Sequence, residues 1–174
     1  ALAQQAWRDN QFEVAQGQVE QVLAQHPEVL DAHVLLAKVL VETGQWNEFE
    51  QALEHMPSVA QEHPEVWVSR GMAAEQWRQF DSAARCYWES LRRNPNGLRA
   101  TYLLSQSLAT LHQPELAKPF ARRAQQLAAL SLAVASQSGK LHLETLPALV
   151  DQLESLGRVW EAAGWCQAAL REPV

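Results

Sequence analysis

The side chains able to make or break bonds are present in this 174-residue sequence, but they are not arranged to do so. Its six histidines, His26, His33, His55, His63, His112 and His142, include no His-Glu-x-x-His and no pair four residues apart, the spacing that puts two ring nitrogens on one helix face for a metal. Cys86 and Cys166 stand 80 residues apart with no neighbouring Cys or His at ligand spacing, so they read as unpaired packing residues. Gly44 and Gly157 are isolated turn glycines rather than a phosphate-cradling run. Glu48, Glu50 and Glu54 fall at helical spacing and read as a solvated face. Nucleophilic catalysis needs an activating base, hydrolysis a carboxylate pair or a metal, and phosphoryl transfer a glycine loop. None is legible, so no catalytic residue, metal or other cofactor is expected.

What remains is chemistry of contact. Seven Trp in 174 residues is heavy usage, and Trp and Arg are the residues that dominate binding hot spots. Net charge is −6, which disfavours phosphate-backbone binding and hence nucleic acid as the main partner. The charge is uneven: residues 1–69 carry −9, residues 70–123 carry +5 and residues 124–174 carry −2. The positive middle is built largely of Arg, whose planar fork suits carboxylates or phosphates, so an acidic partner for this region is one reading and a solvated helical face the other. No stretch of 18 apolar residues is present, so no membrane span is expected. The sequence opens Ala1-Leu2-Ala3 already in a helical pattern and without a leader. It reads as a piece of a larger protein, with the compartment left open.

The elements that position these side chains are helices. Ala (27), Leu (24) and Gln (19) dominate and Ile is absent, a composition that excludes an all-β fold. Slid against itself, the sequence matches at 34 residues: Phe12, Trp46 and Phe80 align, as do Ala15, Phe49, Ala83 and Ala117, and Leu36, Arg70 and Leu104. Turn signals punctuate each unit at Arg8-Asp9-Asn10-Gln11, Thr43-Gly44-Gln45, Trp77-Arg78-Gln79 and Leu111-His112-Gln113-Pro114, with unit-ending breaks at Pro27, Pro64 and Pro95. Each unit therefore reads as helix, tight turn, helix.

With Trp67, Gly71, Phe80, Ala83, Tyr87 and Pro95 fitting best, the pattern resembles the tetratricopeptide repeat family. The resemblance implies an all-α, right-handed solenoid of antiparallel helix pairs, about nine helices, forming one domain. Its units fall at about 1–29, 30–63, 64–97, 98–142 and 143–174. The last unit is 11 residues out of phase, because the second helix of the fourth runs on through Leu127 to Ala135 before a break at 136–140. Its first helix is expected from about Thr145 to Leu156. Pro57 is expected to leave residues 57–63 irregular, and Pro119 to sit in or near the first turn of its helix. Trp160 and Trp165 are expected in the core.

The resemblance further implies that the first helices of the pairs line a concave face. Carried over by position, that face holds Gln4 and Trp7; Asp31, Val34, Lys38 and Val41; Glu65, Val68, Met72 and Glu75; and Arg99, Tyr102, Gln106 and Ala109. Val34, Val41, Val68, Met72 and Tyr102 are expected to form an apolar strip for a protein or peptide segment, with Trp7 and Gln106 beside it and Lys38 and Arg99 fixing its polar ends. A second patch is expected on the convex side, where Trp88 lies beside Arg85 and Arg92 and cation–π contact is open to it. The function so implied is a non-catalytic interaction scaffold or adaptor; the alternative is a regulatory or substrate-positioning domain of a larger enzyme. Weak self-association through uncapped ends or the oppositely charged segments is a further expectation.

Overall fold

A computed structural model describes residues 2–137 and 143–171. Eleven α-helices and no strand occur among them: α1 (Leu2–Arg8), α2 (Phe12–Gln25), α3 (Leu30–Glu42), α4 (Trp46–His55), α5 (Ser58–Gln61), α6 (Pro64–Gln76), α7 (Phe80–Arg93), α8 (Leu98–Thr110), α9 (Pro114–Ser136), α10 (Leu146–Ser155) and α11 (Val159–Arg171). They form five antiparallel pairs, α1/α2, α3/α4, α6/α7, α8/α9 and α10/α11, stacked as an α-solenoid. The count exceeds the expected nine for two reasons. The short first helix folds as a full partner of α2, contributing Ala6 to a core with Ala15, Val19, Leu35 and Val39. Helix α4 does end early before Pro57, at His55, but the segment after it makes a single helical turn, α5, instead of remaining irregular, with the Pro57 carbonyl accepting from Ala60 and Gln61.

The 34-residue register is written in the backbone. The second helices of the first four pairs start at Phe12, Trp46, Phe80 and Pro114, and their N-caps are Gln11, Gln45, Gln79 and Gln113. The residue before each N-cap is left-handed: Asn10 (φ 58°), Gly44 (71°), Arg78 (58°) and His112 (58°). That conformation closes the preceding helix, and the following amide reaches back five residues, from Gln11 to Ala6, Gln45 to Leu40, Gln79 to Ala74 and Gln113 to Leu108, at 2.8–2.9 Å. Gly157 (φ 75°) repeats the device in the last pair, with Arg158 bonding Leu153 at 2.8 Å.

Residue size sets helix spacing. A methyl at Gly71 would lie 2.3 Å from the ring of Tyr87, which is fully buried between α6, α7 and α8. Phe49 plays the filling role between α3 and α4. Helix α9 is 23 residues long, and its far half packs Leu127 and Leu130 against Leu149, Leu153 and Leu156. Pro119 lies six residues into α9, in its second turn rather than its first, which removes one intrahelical donor without ending the helix. Helix α10 spans Leu146–Ser155 with Thr145 as its N-cap, although the Thr145 side chain makes no capping bond and its hydroxyl accepts from Gln137 Nε2 at 2.6 Å. Of the break expected at 136–140, Ser136 ends α9 and Gln137 is its C-cap; residues 138–142, with His142, lie outside the described residues.

Candidate functional site

Of the carried-over residues, Gln4, Trp7, Asp31, Val34, Lys38 and Glu65 border one hollow between α1, α3 and α6, which we call the trough, while Arg99 and Tyr102 border another between α8 and α9. Val34, Val41 and Val68 are 8%, 4% and 3% exposed. The next hairpin covers them: Val34 and Val41 cluster with Val66 and Ala73 of α6, and Val68 with Ala100 and Leu104 of α8. They are seam residues that hold adjacent pairs together, so the expected apolar strip is not on the surface. Met72 is half-buried beside them, while Tyr102 and Gln106 are exposed, the Gln106 amide donating to the Tyr102 hydroxyl at 2.6 Å.

The surface of the trough is polar and bridges hairpins. Lys38 Nζ lies 4.1 Å over the Trp7 ring and 3.1 Å from Glu65 Oε2, which ties α1, α3 and α6 together. Arg99 pairs with Glu42 and directs Nη2 toward Met72 Sδ at 3.1 Å, linking α8 to α3 and α6. Ser107 donates to Glu75 Oε1 at 2.7 Å. Burial, and after it the Glu75 carboxylate nearby, holds the Tyr87 phenol well above its ordinary range, so it stays neutral. Two hollows of about 260 and 350 Å3 share Trp7 and Arg8; the first adds Asp31, Lys38 and Glu65, the second Phe12, Glu42 and Arg99. Arg8 is exposed and, among the described residues, has no counter-ion. Its place in the trough went unseen in the sequence because it falls one residue past Trp7, outside the carried-over positions.

On the convex side Trp88 is 51% exposed, but its ring partner is Phe120, edge to face at 6.0 Å, rather than an Arg. Arg92 turns to Glu89 at 3.0 Å. The guanidinium–ring contacts fall on Trp67 instead, between Arg70 (4.7 Å) and Arg93 (4.9 Å). Arg85 borders a groove of about 630 Å3 floored by Leu104 and Leu108 and walled by Trp88, Leu116 and Phe120. Leu116 and Phe120 were not anticipated, yet a signal existed: their columns hold Ser82 and Cys86 one unit earlier and Glu48 and Ala52 two units earlier. Bulky apolar residues there are not required by the repeat. Trp160, expected in the core, is 91% exposed; Trp165 is the one that packs on the α10/α11 core.

Among the described residues no three of His, Cys, Asp and Glu converge as a metal site, and no helix is long and apolar enough to cross a membrane. Bridged charges, exposed aromatics and hollows between stacked hairpins define an α-solenoid of the kind that works through its surfaces. Residues 6–73 and 68–131 each match the tetratricopeptide repeat family, and the chain belongs to that family. Its repeats support a role as a protein–protein interaction scaffold. Among solved structures, that of TTC0263, described as a thermophilic tetratricopeptide protein of Thermus thermophilus, matches with 18% identity and a TM-score of 0.64, covering 97% of this chain and 87% of that one. A crystal structure of MamA matches with 15% identity and a TM-score of 0.58, covering 98% and 93%. At such identities these likenesses concern the fold. No curated protein sequence matches.

Proposed function

We propose that the chain is a non-catalytic adaptor whose trough takes an extended protein or peptide segment carrying a carboxylate. The observation that supports this most is that Trp7 and Arg8 of α1 line two hollows, one with Lys38 of α3 and the other with Arg99 of α8, and that Arg8 alone of these three cations lacks an acidic partner among the described residues. An incoming carboxylate meets Arg8 without first displacing an internal one. Lys38 and Arg99 are already neutralised by Glu65 and Glu42, so they offer the peptide backbone hydrogen-bonding edges rather than free charge. Val34, Val41 and Val68 serve from below by fixing the helix spacing.

The test is capture of partners from an extract by the chain, by Arg8→Glu, and by Trp88→Glu. Arg8 is exposed, so circular dichroism should stay unchanged. Loss of one charge-assisted contact of about 1.5–3 kcal/mol weakens binding tenfold or more. Capture retained by the trough variant removes this reading. Capture lost only with Trp88→Glu favours a second one, in which the apolar groove of Trp88, Leu116 and Phe120, bordered by Arg85 and Arg92, is the contact surface.

A further inference from the structure

Repeat stacking leaves one helix position unfilled. Val19 and Leu23 of α2 share their 34-residue columns with Tyr87 and Leu91 of α7, and in both places the following helix lies over them. Helix α3 covers the first pair with Leu35 and Val39; α8 covers the second with Ala100 and Leu104. In α9 the same columns hold Ala121 and Gln125, and the following helix does not cover them. Helix α10 packs instead on Leu127 and Leu130, farther along α9.

The consequence is an open slot of about 660 Å3 between α8 and α9, to which neither α10 nor α11 contributes a lining residue. Tyr102 reports it most directly: its column mates Val34 and Val68 are nearly sealed, whereas Tyr102 is 51% exposed. Small side chains floor the slot at Ala121, Ala124 and Ala128, and Leu132, on the same face of α9 at helical spacing, is 74% exposed.

We infer that this slot receives an acidic amphipathic α-helix of a partner protein, lying where the next helix of the array would lie. Continuity with the chain's own stacking supports a helix as the occupant, since the equivalent columns are helix-covered at α2 and α7. Ala121 in the column of Tyr87 and Val19, with Ala124 and Ala128 beside it, admits close approach and leaves room for bulky side chains of the visitor. From Ala121 to Leu132 the face runs about 16 Å, three turns of helix. Charge selects the sign of the visitor. Arg122, beside Ala121, is exposed with no counter-ion among the described residues, and Arg123, which donates to the Pro95 carbonyl and Asn96, has none either, whereas Arg99 and Lys118 are paired with Glu42 and Glu115. Arg99 borders both this slot and the trough, but the two readings are separable because the slot's diagnostic residues lie on α9, away from Trp7, Arg8 and Lys38.

The experiment is a selection from a displayed library of 16-residue amphipathic helices against the 174-residue chain, followed by affinities for variants. Acid-rich helices should be enriched. Ala128→Arg should weaken them at least tenfold, Gln125→Glu about threefold or more, and Gln125→Lys should strengthen them, while Arg8→Glu and Trp88→Glu leave them unchanged. Gln125 is exposed, so its two substitutions remain informative if Ala128→Arg misfolds. The inference is overturned if no helix is enriched, or if the enriched helices ignore residues 125 and 128. It is also overturned if sedimentation shows the chain alone to be a dimer that Gln125→Glu dissociates, which would assign the slot to a second copy. Strong hydrogen-exchange protection of residues 98–105 that Gln125→Glu releases in the monomeric chain would assign it to the chain's own C-terminal hairpin and overturn it as well.

Discussion

Gly71→Ala tests the packing that sets the spacing of α6 and α7, and with it the positions of Met72 and Glu75. In the native geometry the new methyl would sit 2.3, 2.7 and 2.8 Å from three carbons of the Tyr87 ring. Ordinary contact begins at 3.4 Å, so ring and methyl must separate by more than 1 Å. Tyr87 is 0% exposed and enclosed by Ala83, Leu91, Ala100 and Leu104, which leaves it nowhere to go. Overpacking of this kind costs about 3 kcal/mol, while Ala in place of a mid-helix Gly returns about 1 kcal/mol, for a net loss of about 2 kcal/mol. For a chain of this length that lowers Tm by about 4–8 °C. Urea denaturation followed by circular dichroism measures it, with the m-value showing whether the folded state is otherwise intact. The control is Tyr87→Leu: with the ring gone, adding Gly71→Ala should be neutral or stabilising, a non-additivity of about 2 kcal/mol. If Gly71→Ala matches the parent in the Tyr87 background, the size-matching argument fails.

Four further outcomes follow from the same structure. Arg78 and His112 hold φ of 58°, which costs a residue with a Cβ about 1–2 kcal/mol; Arg78→Gly and His112→Gly should each raise stability by about 0.5–1 kcal/mol by denaturant titration, and Gly44→Ala should lower it. Hydrogen bonds from Arg93 and then Arg92 hold the Glu89 carboxyl below its ordinary value, so its contribution is present above the unfolded-state pKa and fades as pH falls through the lower folded value; Glu89→Gln should flatten the acid limb of a stability–pH curve and leave the alkaline limb alone. Burial pushes the Cys86 thiol up and Cys166 is exposed, so a thiol reagent at neutral pH should label Cys166 first and Cys86 in a separate slow phase, and equal rates would contradict the packing of α7. Trp160→Ser should change stability by less than about 0.5 kcal/mol, whereas Trp165→Ser should cost more than about 1 kcal/mol, reversing the expectation that both are core.

Much of the fold was legible because the repeat constrains backbone and core together. Phe12, Trp46 and Phe80 each open a helix, and the four left-handed residues fall at one phase of the register. Residue type alone would not have found the left-handed Arg78; its alignment with Gly44 and Asn10 does. The trough was less legible, for a specific reason. Position along an A-type helix gives the direction of a Cα–Cβ vector, but whether that vector ends in solvent depends on how closely the next hairpin approaches. Val34 and Val68 point inward and meet α6 and α8; Tyr102 occupies the same column, and neither α10 nor α11 lies over it. Cation–π pairing failed similarly, since adjacency on α7 suggested Arg92 for Trp88, while Arg92 found a carboxylate three residues back and Arg93 reached across to Trp67.

The 11-residue slip between the fourth and fifth pairs connects several of these departures. The left-handed turn residue recurs at Gly157, 45 positions after His112 instead of 34. The extra length goes largely into α9, which carries its Leu127 and Leu130 beyond the reach of α8 and offers them to α10. A hairpin seated there cannot also cover Ala121 and Gln125, so the slot beside Tyr102 follows from the slip, whereas Trp160 is exposed because its column, which holds Glu13, Asn47, Asp81 and Glu115 in the earlier pairs, faces solvent in every pair. Had the fifth pair followed in phase, its first helix would have sealed Tyr102 as α6 and α8 seal Val34 and Val68. The small residues at 121, 124 and 128 are then better understood as a surface shaped for a helix than as a weakened core, because the core of this pair lies elsewhere on α9 and is already filled by leucines.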